Sequence, residues 1–246
     1  MERTYRSGRR GPIIAFVAGD RGRPHLTGSP PRSEATALLD GLFPSFVRGV
    51  AAHITDGCDS PFPEERDAVA AAASSRRREF VCGRACAHAA LQALGRDRGP
   101  IGTGDRREPT WPDGVVGAIS HAGSLVGAVV ARAADARGLG LDIELLEPPL
   151  DQKLQRLLLT PGEIFHVQSL LATEPAAAKI IFSAKESVYK CLFPRTGRRL
   201  DPQEIDVALD PARRRYLAVI AGPRSVTPLE GSFRLADGYV LTGLHV

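Results

Sequence analysis

The sequence predicts an α+β fold, and three features of the chain carry that prediction. Residues 75–94 have apolar side chains at helical spacing. Two short apolar runs, 115–119 and 125–131, are separated by a small-residue loop, as in a β-hairpin. After residue 205, apolar runs alternate with turn residues, which is typical of an antiparallel sheet. Helices and antiparallel strands that follow one another in separate blocks indicate the α+β class.

Composition is that of an ordinary globular protein of 246 residues, with 43% hydrophobic and 24% charged residues. The apolar run 12–18 is too short to span a bilayer, so no membrane segment is expected. The net charge of +4 favours acidic partners, including nucleotides, acidic protein surfaces and nucleic acid. The cysteines lack the spacing of a disulfide scaffold, so we expect a cytoplasmic protein with reduced thiols at Cys58, Cys82, Cys86 and Cys191.

The first part of the chain divides into a tail and two helices. Residues 1–32 are rich in Arg, Gly, Pro and Ser and are expected to form a mobile basic arm. A helix is predicted over 63–75, because Pro63 suits the first helical position and two glutamates follow it. Globular patterning therefore begins at about residue 33.

The helix predicted at 75–94 places Arg76 and Arg84 on either side of Phe80, at the edge of its apolar stripe. Two interpretations are open. The arginines could extend over the core with their charged ends in water. Alternatively, they form a cationic wall for a phosphate, with Gly83 allowing close approach.

The predicted hairpin follows a turn signal at 111–114 and carries Ser120 and His121 where its first apolar run ends. A single loop histidine is usually incidental. At the end of a buried strand, however, it could lie against a ligand.

A strand is predicted at 138–145, with Asp142 and Glu144 on one face and apolar residues on the other. Neighbouring carboxylates raise each other's pKa unless a cation lies between them, so the pair suggests a hard-metal site such as Mg²⁺. An exposed strand face with two solvated acids is the alternative.

The stretch 182–190 is predicted to be helical, which places Glu186 and Lys190 one turn apart on the same face. In a chain where arginine is the usual cation, retained lysines suggest that a compact ammonium is wanted near a phosphate or carboxylate. An ordinary amphipathic helix would look the same. Two of the four lysines lie in this stretch; the four are Lys153, Lys179, Lys185 and Lys190.

Two of these stretches together resemble the signature motifs of the 4′-phosphopantetheinyl transferases. They are Gly-Leu-Asp-Ile-Glu at 140–144 and Phe-Ser-Ala-Lys-Glu-Ser-Val-Tyr-Lys at 182–190, about forty residues apart. The segment from 111 to 121 is similar to the family's first motif, and 76–84 to its basic helix. The resemblance covers about 42–206 and is closest to the larger, siderophore-synthetase and actinobacterial branch of the Sfp-type enzymes.

The resemblance implies an activity and assigns the acidic residues. The enzyme would transfer 4′-phosphopantetheine from coenzyme A to a serine of an apo acyl or peptidyl carrier protein, releasing 3′,5′-ADP. It implies Mg²⁺, with Mn²⁺ as an alternative, held by Asp142, Glu144 and Glu186. Glu186 would also be a candidate base, and Lys190 would neutralise charge developing on the phosphates.

The same resemblance implies a set of residues for coenzyme A, which comprises Arg76, Arg84, Arg106, Ser120, His121, Lys185 and Lys190. The chain departs from the family pattern at Arg107, where glycine is common, and at Ala122, where cysteine or serine is frequent. These departures affect the loop that carries Arg106 and leave the three acids untouched.

The resemblance also implies an architecture of two similar α+β halves related by a pseudo-twofold, with coenzyme A in the cleft between them. We expect the halves at 33–135 and 136–246, with a junction near 132–137. A chain of this length is expected to be a monomer.

Two rival functions remain at the level of the sequence. Another Mg²⁺-dependent phosphotransferase could use the same three acids and would act without a carrier protein. A basic nucleic-acid-binding module could use the arginine runs 76–78 and 213–215, but aromatic residues make up only 6% and do not interleave with them. We therefore expect no nucleic-acid partner.

Overall fold

The computed structural model describes residues 33–55, 58, 62–97, 99–222 and 227–246. The basic arm predicted for 1–32 lies outside these residues. The helices are α1 (Glu34–Ala37), α2 (Pro63–Asp67), α3 (Ser74–Ala93), α4 (Gln152–Leu158), α5 (Pro161–Leu170) and α6 (Ala177–Thr196), with a 3₁₀ turn at Pro202–Glu204. The strands are β1 (Arg48–His53), β2 (Gly102–Thr103), β3 (Pro109–Thr110), β4 (Val115–Ala122), β5 (Leu125–Arg132), β6 (Leu139–Leu145), β7 (Ile205–Asp210), β8 (Arg215–Ile220), β9 (Leu229–Ala236) and β10 (Tyr239–His245).

Two antiparallel sheets organise these strands. One has three strands in the order β1-β5-β4, and the other has five in the order β6-β10-β9-β8-β7. Strands β2 and β3 form a separate short ladder. The mixture of helices with antiparallel sheets confirms the predicted α+β class, while the boundaries of the two expected halves stay a prediction.

Each main sheet has one 20-residue helix packed against it. Helix α3 lies on β5 and β1, and α6 lies on β6 and β10. The α6 contact is close, because a Cβ atom at Gly140 of β6 would collide with the carbonyl of Ser187. Glycine at this position therefore lets the helix approach the strand that carries Asp142.

The two main sheets meet where β4 runs beside β6. The backbone N–H of Ile143 donates to Oγ of Ser120 at 3.1 Å. A shared apolar cluster packs around this contact and includes Ala118, Leu141 and Leu241. The end of the hairpin is thus fixed against the acidic strand.

One local prediction needs correction, and one strand was not predicted. The helix expected over 63–75 ends at Asp67 and continues as turns, since the alanine-rich segment after it offers few large side chains to bury. Strand β1 was missed because its sequence, Arg-Gly-Val-Ala-Ala-His, lacks clear alternation. Its pairing with β5 over Arg48–His53 supplies the order that the local sequence does not.

The expectation of four reduced thiols is wrong for two of them, because Cys58 and Cys82 form a disulfide across a separation of 24 residues. Cys58 follows β1 and Cys82 lies in α3, and a sequence pattern does not reveal that the two are in contact. Cys86 and Cys191 are free and buried, and burial raises the pKa of each thiol to about 12. None of the described helices is long and apolar enough to cross a membrane.

Candidate functional site

Asp142 is the centre of a polar cluster between β6, β4 and α6, although only 2% of its surface is exposed. Its Oδ1 accepts hydrogen bonds from Ser120 Oγ at 3.1 Å and from Lys190 Nζ at 2.6 Å. Its Oδ2 accepts a hydrogen bond from Ser183 Oγ at 2.8 Å. Three donors therefore hold the carboxylate in one orientation, as a buried charge requires.

Helix α6 supplies two of these donors because Ser183 and Lys190 are two turns apart and lie on the same face. Thr242, directly opposite Asp142 in β10, fixes the first of them: its hydroxyl donates to the Ser183 carbonyl and lies 2.9 Å from the Ser183 hydroxyl. Ser183 was absent from the predicted site. Its position seven residues before Lys190 is the signal that could have found it.

The other two predicted acids lie in the electrostatic field of Asp142. Burial, reinforced by repulsion from Asp142, raises the pKa of Glu144 to about 7. The same causes, in the same order, raise the pKa of Glu186, and the nearby charge of Lys190 opposes both shifts. The structure therefore brings Asp142, Glu144, Glu186 and Lys190 into one interacting group.

This group has the chemistry of a hard-cation site, although the acids are not gathered tightly. Among the described residues, no three His, Cys, Asp or Glu side chains are close enough to hold a metal ion as they stand. All of the donors are carboxylate oxygens, which Mg²⁺ and Mn²⁺ prefer. Their mutual repulsion would be relieved by a divalent cation, so the donor set fits such an ion.

A second, basic group lies at the end of β4 and the start of α3. Arg76 Nη1 lies 2.8 Å from His121 Nε2 and 3.3 Å from Glu79 Oε2. The pKa of His121 is lowered, chiefly by burial, while the charge of Glu79 opposes the shift. A neutral His121 can therefore accept a hydrogen bond from Arg76. Glu79 was absent from the predicted site.

Arg84 is more deeply buried, with 3% of its surface exposed. Its Nη2 donates to the carbonyl of Gly102 at 2.8 Å and to Thr103 Oγ1 at 3.1 Å, and the guanidinium lies over the Phe80 ring. Burial lowers the pKa of Arg84 to about 10. Its buried Nε has no hydrogen-bond partner within the described part of the chain.

Two predicted residues are not brought to either group. Arg106 lies in the exposed turn between β2 and β3, where its backbone N–H donates to Glu108 Oε2 at 2.9 Å. Lys185 is 2% exposed, and its ammonium donates to Glu163 at 2.6 Å and to the carbonyls of Leu158 and Pro202 at 2.7 and 2.8 Å. Lys185 therefore supports the helix from its buried side.

The carboxylate of Glu163 is equally well paired. It accepts from the backbone N–H groups of Val207 at 2.7 Å and Thr160 at 2.6 Å, in addition to Lys185. Burial raises the pKa of Glu163 and lowers that of Lys185, and their mutual hydrogen bond opposes both changes. This ion pair connects α6 to the start of α5 and to β7.

The arginine run 213–215 is paired with acids rather than free. Its three side chains contact Asp210 at 2.7 Å, Glu174 at 2.8 Å and Glu230 at 3.0 Å. Charges that are already neutralised attract a phosphate backbone poorly. The arrangement disfavours the nucleic-acid interpretation.

Comparison with protein families gives two matches that together cover most of the chain. Residues 64–131 match the 4′-phosphopantetheinyl transferase N-terminal domain. Residues 138–242 match the 4′-phosphopantetheinyl transferase superfamily. The second match contains the three acids, Ser183 and both lysines of the signature stretch.

Individual relatives agree with these matches. The 4′-phosphopantetheinyl transferase Svp of Streptomyces mobaraensis is 39% identical over 222 residues, which are 85% of this chain and 89% of the relative. The 4′-phosphopantetheinyl transferase PptT of Mycobacterium tuberculosis is 34% identical over 206 residues, covering 75% and 86% of the two chains. Enterobactin synthase component D of Salmonella typhimurium is 34% identical over 166 residues, covering 64% and 69%.

Proposed function

Because the chain belongs to the 4′-phosphopantetheinyl transferase superfamily of enzymes, we propose that it transfers the 4′-phosphopantetheine group of coenzyme A to a serine hydroxyl of an apo acyl or peptidyl carrier protein. The second product is 3′,5′-ADP. The observation that carries the proposal is the position of Asp142, whose carboxylate is held by Ser120, Ser183 and Lys190.

The chain's own residues can perform the proton and charge transfers of this reaction. The serine oxygen of the carrier attacks the β-phosphorus of coenzyme A, and the bond from that phosphorus to the bridging oxygen breaks. Glu186, whose pKa is raised by burial and by Asp142, takes the serine proton, directly or through water. Lys190 neutralises the negative charge that grows on the departing 3′,5′-ADP.

Asp142, Glu144 and Glu186 would hold Mg²⁺, and Mn²⁺ is the alternative ion. When bound, the cation supplies charge neutralisation for the pyrophosphate of coenzyme A. Burial and the charge of Asp142 raise the pKa of Glu144 and of Glu186, and a bound cation would offset both effects. The oxygen-only donor set supports this assignment as well.

The basic group would bind the nucleotide end of coenzyme A. Arg76 and His121 are partly exposed and close together, so we assign them direct contact with phosphate. Arg84 would contribute its unpaired Nε, and Ser120 would connect this group to Asp142. A contribution from Arg106 requires the exposed turn to close over the nucleotide.

We propose a structural role for Lys185 in place of the phosphate contact expected from the sequence. Its ammonium makes three short contacts on the buried side of α6, so we assign it the task of fixing the helix that presents Glu186. Both the acidic and the basic groups come from one chain, and we propose that the enzyme acts as a monomer. The cytoplasmic location stays a prediction.

The proposal is tested by incubating the protein with coenzyme A, Mg²⁺ and several apo carrier proteins and then measuring the intact mass of each carrier. We expect at least one carrier to gain a single 4′-phosphopantetheine group, with one equivalent of 3′,5′-ADP released. Nucleotide turnover without carrier modification would instead support the rival phosphotransferase. An unmodified set of carriers, with no turnover, contradicts both.

A further inference from the structure

Lys190 is the positively charged donor on Asp142. Its Nζ atom lies 2.6 Å from Asp142 Oδ1 and 2.9 Å from Ser120 Oγ. The ammonium is partly exposed, with 29% of the side chain accessible, whereas the Asp142 side chain is 4% exposed. The positive charge therefore covers the carboxylate from the side that faces solvent.

Three donors occupy this carboxylate, which has about four acceptor sites. Asp142 Oδ2 accepts from Ser183, which Thr242 holds in place, and Oδ1 accepts from Ser120 as well as from Lys190. The two serines lie in buried elements. Of the three donors on Asp142, Lys190 is flexible and partly exposed, so its contact can be broken with the smallest loss of free energy.

A divalent cation and an ammonium on the same side of one carboxylate repel strongly, since they lie only a few ångströms apart. A metal that approaches Asp142 Oδ1 from solvent meets the Lys190 ammonium there and would displace it. The displaced ammonium stays on α6, one turn from Glu186.

This inference rests on the proposed function. We propose that Lys190 is an internal counter-ion, which stays on Asp142 until a divalent cation binds there. The bound metal then displaces the Lys190 ammonium toward the phosphates of coenzyme A. Metal and Lys190 compete for the same carboxylate. The ammonium thus reaches the leaving group only after the metal is in place.

The competition is measured without catalysis, by titrating Mn²⁺ into the free protein and following unbound Mn²⁺ by electron paramagnetic resonance. We expect Lys190→Met to bind Mn²⁺ about tenfold more tightly than wild type, the scale set by one charged hydrogen bond. Equal or weaker Mn²⁺ binding by a folded Lys190→Met variant overturns the proposal.

Two matched variants separate competition from a general change in charge. Lys179→Met removes the same charge from a lysine that also acts on Glu144 but donates to the carbonyl of Pro148 at 2.8 Å. We expect its Mn²⁺ affinity to rise by less than that of Lys190→Met, because Lys179 does not contact Asp142. Lys190→Arg keeps a cation that can reach Asp142 and should not tighten binding. If Lys179→Met tightens binding as much as Lys190→Met, competition at Asp142 is excluded.

A measurement on the wild-type protein covers the case in which Lys190→Met fails to fold. The chain has only four lysines, so the ¹⁵N signals of their side-chain ammonium groups can be resolved. Adding Mg²⁺ should shift the Lys190 signal and speed its proton exchange, while the signal of Lys185 stays in place. An unmoved Lys190 signal at saturating Mg²⁺ contradicts the proposal. Because neither measurement uses a carrier protein, their failure is distinguishable from failure of the transfer assay.

Discussion

Lys185 and Glu163 form an ion pair with an N–O distance of 2.6 Å, in which the side chains are only 2% and 1% exposed. The pair joins the signature helix to the start of α5. Adjacent residues on a helix project in different directions. Lys185 therefore faces Glu163, although it is next to Glu186 in the sequence, and lies away from Asp142 and Glu144.

Removing one partner of this pair should destabilise the protein strongly. We expect Glu163→Gln to lower the free energy of unfolding by about 3 kcal/mol, because the Lys185 charge is left buried without its counter-ion. Urea unfolding followed by circular dichroism measures the change. Glu230→Gln, in the exposed pair with Arg215, is the control and should cost less than about 1 kcal/mol. Equal losses in the two variants would show that burial does not matter at this pair.

The hydroxyl of Ser183 should matter for activity although it touches no substrate in our account. Ser183→Ala removes the donor to Asp142 Oδ2, and we expect the rate of carrier modification to fall by about tenfold or more, as for partners that orient a metal ligand. The comparison is Ser169→Ala, whose hydroxyl bonds within its own helix α5 at 2.7 Å. An unchanged rate in Ser183→Ala would mean that Asp142 needs no such support.

Glu79 should weaken anion binding in the free enzyme. Its carboxylate lies within 3.3 Å of Arg76 and 3.7 Å of His121, so it partly neutralises the two groups assigned to phosphate. We expect Glu79→Gln to bind 3′,5′-ADP a few times more tightly by calorimetry, by up to about fivefold for a partly exposed charge. Glu230→Gln again serves as the control. Weaker binding by Glu79→Gln would instead make the glutamate a positioning residue for Arg76.

Glu144 should make the metal-free protein less stable as the pH rises. Its pKa of about 7 in the folded state exceeds the ordinary value of 4.5, so between these values the folded chain keeps a proton that the unfolded chain has released. Stability from this group is therefore lost as the pH rises toward 7. The free energy of unfolding of wild type and of Glu144→Gln is measured by urea titration in EDTA at several pH values. The value for Glu144→Gln minus that for wild type should increase from pH 5 to pH 7 and then level off. A difference that stays constant with pH would contradict the shifted pKa of Glu144.

The sequence predicted the elements that carry the site wherever a local periodicity coincides with residues of suitable chemistry. The strand face that carries Asp142 and Glu144 and the helix with Glu186 and Lys190 form as expected. The predicted hairpin also forms, but Ser120 and His121 belong to β4 and not to its loop, because His121 pairs with Val126 of β5. Each depends on a short-range period of two or of 3.6 residues, which tertiary packing here reinforces.

The parts that the sequence did not reveal depend on contacts between distant segments. Glu163 meets Lys185 across 22 positions, Cys58 meets Cys82 across 24, and Ser183 meets Thr242 across 59. No local period reports such pairs. The buried position of Lys185 follows from the packing of α6 against α5 and β7, and that packing appears only in the structure.

We propose that the transfer depends on the carboxylates of Asp142, Glu144 and Glu186, and one assay tests this dependence most directly. Wild type and Glu186→Gln, each shown to be folded by circular dichroism, are incubated with coenzyme A, Mg²⁺ and a carrier that wild type modifies, and the carrier's intact mass is followed over time. We predict full addition of one 4′-phosphopantetheine group by wild type and no detectable addition by Glu186→Gln. Modification by Glu186→Gln at the wild-type rate would contradict the account.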